Sequence, residues 1–241
     1  MSSTRPRRGL RSLAIAVVVL ACLGFIADRV AESLAEDRLA AIAENEAARY
    51  DVRASDSSAE VGGFGFLPQL VRGKFSRITL TMQRPTISSI PAQDLTVAMT
   101  GVHVPRELLT GDTGAAVRVD SADLRVRLSP DALTKLATRT SGLDGLTLRI
   151  VGAKLQARVV TQGVEASATV RPQVQNGRVR LLVDDPPAAV PSTVRDALSS
   201  LLAKGIVVPD LPFGASLKQV AVDRQSVLLT ATAADVQLRA A

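Results

Sequence analysis

The chain is short of the side chains on which most protein chemistry depends. Its 241 residues include one cysteine, one histidine, one tyrosine, no tryptophan and five phenylalanines. The cysteine, Cys22, lies in an apolar N-terminal run, so the remainder has neither disulfide nor thiol chemistry and must hold together by apolar packing. His103 has no second imidazole and no thiol to join it, which argues against a metal site. A nucleic-acid binder usually stacks bases on aromatic rings over a basic face, and rings are scarce here. The net charge of +6 is also misleading. Four of the 29 basic residues, Arg5, Arg7, Arg8 and Arg11, precede Leu13, and residues 13–241 hold 25 basic against 23 acidic side chains, a net of +2.

Catalytic signatures are equally sparse. No Gly-x-Ser-x-Gly nucleophile elbow occurs. His103, in Gly101-Val102-His103-Val104-Pro105, reads as a satisfied or surface residue at a strand end. Asp184-Asp185-Pro186-Pro187 reads as a solvated turn. Gly63-Phe64-Gly65 lacks the third glycine of a dinucleotide loop and runs into Pro68. The expectation is a protein that is not an enzyme and takes no metal and no cofactor.

What the chain does have is an address. The four arginines stand before Leu13–Ala27, LAIAVVVLACLGFIA, which carries no charge. A basic leader followed by an apolar run is the export pattern, with the arginines kept in the cytoplasm. Three readings stay open. A cleaved signal peptide fits the apolar length, with Ser33-Leu34-Ala35 as the best cleavage site. A membrane anchor fits if Gly9, Leu10 and Ser12 extend the run and Arg11 and Arg29 snorkel. A lipoprotein acylated at Cys22 fits Val19-Leu20-Ala21-Cys22. The expected organisation is a cytoplasmic leader (1–12), an anchor or signal (13–27), an amphipathic helix (28–50) and an extracytoplasmic β-rich domain (51–241). Placed this way, the domain belongs to the outer side of the cell membrane, or to the envelope if the leader is removed.

From Asp28 to Tyr50 the helical pattern places Ile26, Val30, Leu34, Ala41 and Ile42 on the apolar side, packed on the protein's own domain. A polar patch, Ser55–Ser58, and a turn from Gly62 to Pro68 follow. Period-2 alternation then takes over: Ile78, Leu80 and Met82; Leu95, Val97 and Met99; Val117 and Val119; Leu124, Val126 and Leu128; Leu146, Leu148 and Ile150; Leu155, Ala157 and Val159. Val164, Ala166, Ala168 and Val170 alternate in turn, and Val170–Val174 and Val179–Val183 flank Asn176-Gly177, a type I′ hairpin signal. Leu217–Val222, Ser226–Thr232 and Asp235–Leu238 complete the series. About eight such runs predict a half-buried antiparallel sheet with one apolar face. Two helices interrupt it, Ala132–Thr138 behind the Ser129-Pro130 cap and Thr193–Lys204 behind Pro191-Ser192. These are a small cover for so many strands, which implies a sheet that curls on itself or encloses a lipid.

The stretch GFGFLPQLVRGKFSRITL, Gly63–Leu80, resembles a known family of actinobacterial envelope proteins, the LmeA-like phospholipid-binding proteins. Their motif reads G-F-P-F-L-(T/P)-Q-L-(L/V)-x-G-x-(F/Y) before an alternating strand. The likeness continues through Leu95–Pro105 with Leu108-Leu109, and returns at Leu211-Pro212-Phe213-Gly214. It covers about residues 10–240. Gly65 departs from it, standing where the family commonly has proline. The resemblance implies an α+β, mostly antiparallel fold: a long curved sheet wrapped on one or two helices, like a tubular lipid-binding domain, after an apolar N-terminal helix. It implies phospholipid or other acyl-lipid binding at a membrane, in support of envelope lipid or glycolipid assembly. On that reading Phe64, Phe66, Leu67, Leu70, Val71 and Phe75 form the mouth of a lipid site. Arg72, Lys74 and Arg77 meet headgroups, and Leu80, Met82, Val97, Met99, Leu124, Val126, Leu148 and Ile150 line a cavity. The alternative is an envelope scaffold with a dry core whose edge strand binds a protein partner.

Overall fold

The computed structural model describes residues 7–105, 116–142, 144–161, 164–185, 200, 202, 205–208 and 211–239; of residues 7–18 it gives the backbone alone. A single helix, α1 (Arg7–Arg49), leads into three antiparallel sheets. The largest has six strands in the spatial order β13 (Ser216–Val222), β14 (Val227–Arg239), β7 (Ala116–Leu128), β6 (Asp94–His103), β3 (Lys74–Gln83) and β2 (Asp56–Gly62). The second runs β12 (Ile206–Val207), β11 (Arg178–Asp185), β10 (Val164–Gln175), β9 (Lys154–Thr161), β8 (Leu146–Val151). A small third sheet joins β1 (Val52–Arg53), β4 (Thr86–Ile87) and β5 (Ile90–Pro91). Two shorter helices, α2 (Phe66–Arg72) and α3 (Pro130–Ser141), complete the elements that matter here. The expected fold class holds, with the antiparallel strands divided among sheets and the largest curled into a half-barrel.

The alternation that predicted the strands also sets their faces. Register places Leu80, Val97, Leu124 and Ala231 in one transverse row, Ile78, Met99, Ala122 and Ala233 in the next, and Met82, Leu95, Val126 and Leu229 on the other side. Polar rows such as Thr81, Thr96, Arg125 and Thr230 fall between them. One face of the sheet is therefore apolar along its length.

Near one end this phase breaks on four strands together. The ladder skips the pairs Ser76–Gly101, Gly101–Asp120 and Asp120–Asp235, while Phe75, Val102, Val119 and Val236 pair normally just beyond. Inward-facing residues thus shift from Ile78 to Phe75, from Met99 to Val102, from Ala122 to Val119 and from Ala233 to Val236. Gly101 and Asp235 supply the bend with left-handed backbones, φ 63° and 52°. The crease tightens the sheet's curl where it approaches α2.

The apolar face divides into two clusters. One gathers Val61, Phe66, Phe75, Ile78, Met99 and Leu124 beneath α1 and α2. The other gathers Leu133, Leu136, Leu148, Leu155, Val179 and Ile206 between α3 and the second sheet, reaching Leu128 and Val227 at the far end of the first. Ile87 and Val126 touch both. α3 forms as its sequence requires: the Ser129 hydroxyl accepts from the Ala132 N–H at 3.1 Å, and Gly142 at φ 58° ends it. Asn176 and Gly177, at φ 51° and 71°, make the expected hairpin turn.

Several expectations need correction. The polar patch at Ser55–Ser58 belongs largely to β2, which pairs along its whole length with β3. Its inward positions, Ser57 and Ala59, are small because a helix lies over them. That helix uses a different face from the one expected. Ala31, Ala35, Leu39, Ala43 and Ala47 pack on the core, whereas Val30, Leu34 and Ile42 are more than half exposed. The i, i+4 run of alanines brings α1 close to the strand, and a stripe of larger side chains would hold it off. The turn after Gly63 continues into α2, and Asp235–Leu238 is the end of β14 rather than a separate strand. The helix expected at Thr193–Lys204 falls almost wholly outside the described residues, as do Pro186-Pro187 and Leu108-Leu109.

Gly101 offers a test of the crease. A Cβ there would lie 2.0 Å from an Asp120 carboxylate oxygen, on a left-handed backbone. Gly101→Ala is expected to lower stability by about 2 kcal/mol. Adding Asp120→Ala should recover part of the loss. Urea-unfolding midpoints of the two variants check both.

Candidate functional site

The end of the domain beyond the crease is built around the motif segment. After β2 the chain turns through Gly63 and Gly65, at φ 116° and 67°, and enters α2. Proline's ring forbids a φ of that sign, so glycine at 65 makes a backbone that the usual family residue cannot make. Pro68 is tolerated within the first turn, where its missing N–H has no helical partner. Gly73 closes the helix at φ 64°, with its N–H on the Gln69 and Leu70 carbonyls. The Val104 N–H donates to the Gly73 carbonyl at 2.8 Å, and a side chain at 73 would meet the Val104 carbonyl oxygen at 2.6 Å.

Two polar side chains fasten this end. Gln69 is 4% exposed. Its Nε2 donates to the Gly65 carbonyl at 3.1 Å and its Oε1 accepts from the Ser76 N–H at 2.8 Å, the amide that the crease releases from the ladder. Asp28, on α1, accepts from the N–H groups of Leu67 at 2.6 Å and Phe66 at 3.0 Å. It thereby caps a helix that has no side-chain cap of its own. The Leu67 and Phe66 amides, with Arg29 nearby, hold its carboxyl below the ordinary carboxylate range. Eight residues further on, Glu36 accepts from the Val61 N–H at 2.8 Å. The helix thus runs antiparallel to β2, with Glu36 beside Val61 and Asp28 beside the start of α2.

The six residues expected at a mouth separate into two sets. Phe66 and Phe75 are buried against each other, ring centroids 5.8 Å apart, and staple the end of the core. Leu67 and Leu70 are half-buried on the same cluster. Phe64 and Val71 stand out, 94% and 72% exposed. Arg72, Lys74 and Arg77 are exposed beside them, with the Arg72 Nε donating to the Pro68 carbonyl at 2.9 Å.

The expected lining residues are brought together in part. Leu80, Met82, Val97, Met99, Leu124 and Val126 share the apolar face of the first sheet. Leu148 and Ile150 belong to the second cluster. Met82, Val97, Met99, Leu124 and Leu148 are buried by protein neighbours. Two hollows lie elsewhere. One of about 470 Å³ opens between α1 and β2 at Arg29, Glu32, Ser33, Glu36 and Glu60. One of about 390 Å³ lies at Ile90, Thr134, Lys135 and Arg139. His103 is part-exposed, with Nε2 3.2 Å from an Asp120 carboxylate oxygen. Among the described residues no cluster of histidine, cysteine, aspartate or glutamate is placed to hold a metal ion.

Sequence reading passed over Asp28, Glu36 and Gln69. Gln69 carried a signal, as a polar residue within the apolar run from Phe66 to Val71. Asp28 and Glu36 act on backbone amides 25 to 39 residues away, and nothing local announces that.

The lowered Asp28 pKa gives a pH prediction. Its contribution is complete above the ordinary value of 3.8 and is lost as pH falls through the lowered folded value. The amides of Phe66 and Leu67 are expected to lose hydrogen-exchange protection first on acidification. Asp28→Ala should remove that protection at neutral pH, leaving the amides of β6 and β7 unchanged.

Residues 26–232 match the LmeA-like phospholipid-binding family. No curated protein and no solved structure matches the chain. The family match spans most of the sequence and includes the motif segment, α1 from Ile26 onward and all of the crease and the apolar clusters but the part on β14 beyond residue 232. The chain belongs to the LmeA-like phospholipid-binding family.

Proposed function

We propose that this protein binds phospholipid, without catalysing a reaction, on the outer side of a cell membrane to which α1 tethers it, and that it serves envelope lipid or glycolipid assembly there. Membership of the family carries the lipid reading. The half-barrel agrees with it, because its apolar face runs unbroken in rows from the α2 end to Ile87 and Val126, where the second cluster begins. The basic leader and the apolar run Leu13–Ala27 support the location. Among the described residues no helix is long and apolar enough to cross a membrane, and the side chains of residues 13–18 lie outside that description. The tether is a membrane span or a lipid at Cys22; where the leader is cleaved as a signal, the domain is instead released to the envelope.

One observation favours the scaffold alternative: the inward side chains of the first sheet are packed by protein. Ala231 separates the two readings. It is 4% exposed and sits in the row of Leu80, Val97 and Leu124. In a half-barrel that opens for an acyl chain, Ala231→Phe occupies the chain's place. The full chain purified in mild detergent is then expected to lose most of its co-purifying phospholipid by mass spectrometry while keeping its unfolding midpoint. In a dry core the same change overpacks, costs about 1–3 kcal/mol, and leaves no lipid to lose.

A further inference from the structure

We propose that the α2 end of the domain docks on an anionic bilayer surface, Phe64 and Val71 entering the interface and Arg72, Lys74 and Arg77 meeting lipid phosphates. The inference rests on the lipid reading in one respect, that the surface docked is the bilayer from which the lipid comes.

The argument starts from direction. Because α1 runs antiparallel to β2, from Glu36 beside Val61 to Asp28 beside Phe66 and Leu67, its earlier residues continue past the sheet at the α2 end. Val19–Ala27 rises about 13 Å beyond Asp28 at 1.5 Å per residue. Its side chains face outward: Leu20, Leu23, Phe25 and Ile26 are each 57–68% exposed. The most exposed large apolar side chain among the described residues of the domain, Phe64, therefore stands near the level where this run leaves the protein. A phenylalanine with 94% of its surface in water buries almost nothing against the rest of the domain. With the exposed apolar run of α1 at the same end of the domain, it gives this end the apolar exposure that marks a docking surface.

Charge then selects the occupant. At this end stand the exposed Arg72, Lys74 and Arg77 and, two strands from Lys74 in the same row through His103, Arg118. Among the described residues none of the four is engaged in an ion pair. Arg29, 5.4 Å over the Phe25 ring on the α1 side, is paired with Glu32 and is not one of these free cations. Apolar side chains ringed by free cations match acyl chains beneath anionic headgroups. The fasteners make the dock rigid: Asp28 ties α2 to α1, and Gln69 ties it to β3.

The absence of tryptophan supplies the probe. Phe64→Trp gives the full chain a single indole, read in vesicles of phosphatidylcholine mixed equally with phosphatidylglycerol. The expected result is an emission shift to the blue and quenching by brominated acyl chains. Leu182→Trp, on β11 in the second sheet, should show neither. Reversing Arg72, Lys74 and Arg77 to glutamate should remove most of the quenching at the Phe64→Trp position. A water-like, unquenched Phe64→Trp overturns the docking proposal, and equal quenching in phosphatidylcholine alone overturns its anionic part. Co-purifying phospholipid is scored separately on the same chains, so a failed dock on a lipid-loaded protein is distinguishable from a docked protein that carries none.

Discussion

The seating of α1 along the edge strand β2 is the constraint on which the other features depend. An edge strand exposes unpaired amides, and this one is covered by a helix whose contact surface is almost entirely alanine. Close approach does more than bury apolar area. It brings Glu36 within reach of the Val61 N–H and Asp28 within reach of the first amides of α2. A helix of seven residues has little stability of its own, so α2 persists because one end is capped from α1 and its middle is pinned by Gln69. The exposed tip is therefore held by the half-buried Asp28 and the buried Gln69, at a fixed height relative to the point where α1 departs.

The crease makes the second half of this geometry. Strands that merely twist would keep one face inward from end to end. Here four strands change phase along one line, and the inward residues beyond it, Phe75, Val102, Val119 and Val236, close over Phe66. The amide of Ser76, left out of the ladder, is the one that Gln69 receives. The motif glutamine and the break in the sheet are thus two parts of one structure. Gly101 occupies the crease because the Asp120 carboxylate fills the space where a side chain would stand.

How much of this was legible in the sequence follows from the same physics. Strands with large inward residues, such as Ile78–Met82 and Leu95–Met99, alternate cleanly and were read correctly. β2 was not, because its inward Ser57 and Ala59 are sized for a helix and carry little hydrophobic signal. For the same reason the wrong face of α1 was chosen: Val30, Leu34 and Ile42 outweigh alanine on any scale of hydrophobicity, yet alanine is what close packing selects. The phase change hid the unity of β7 and of β14, each of which read as two runs. Of the candidate site, the motif drew attention to the segment that builds the α2 end, and its three cations are all exposed. Its phenylalanines could not be sorted from sequence, since one of three faces water and two face each other. The capping carboxylate Asp28 was read only as the start of the amphipathic helix, because the amides it serves are 38 and 39 residues away.

Curvature also accounts for the composition of the interior. On the concave face of a bent sheet the inward side chains converge, so the volume available to each falls as the bend tightens. The rows inboard of the crease answer this with Ala122, Ala231 and Ala233 on the strands opposite Ile78, Met99 and Leu80. Larger residues on all four strands would force the curl open, and aromatic rings would do so most, which gives the scarcity of aromatics a structural reason. The three phenylalanines of the motif lie outside that zone, where the sheet has already turned and there is room for rings. Small walls within and rings at the rim are the arrangement a curled sheet reaches when its interior is apolar and its end must present a surface, and the residues at that end are the ones that meet whatever the domain approaches.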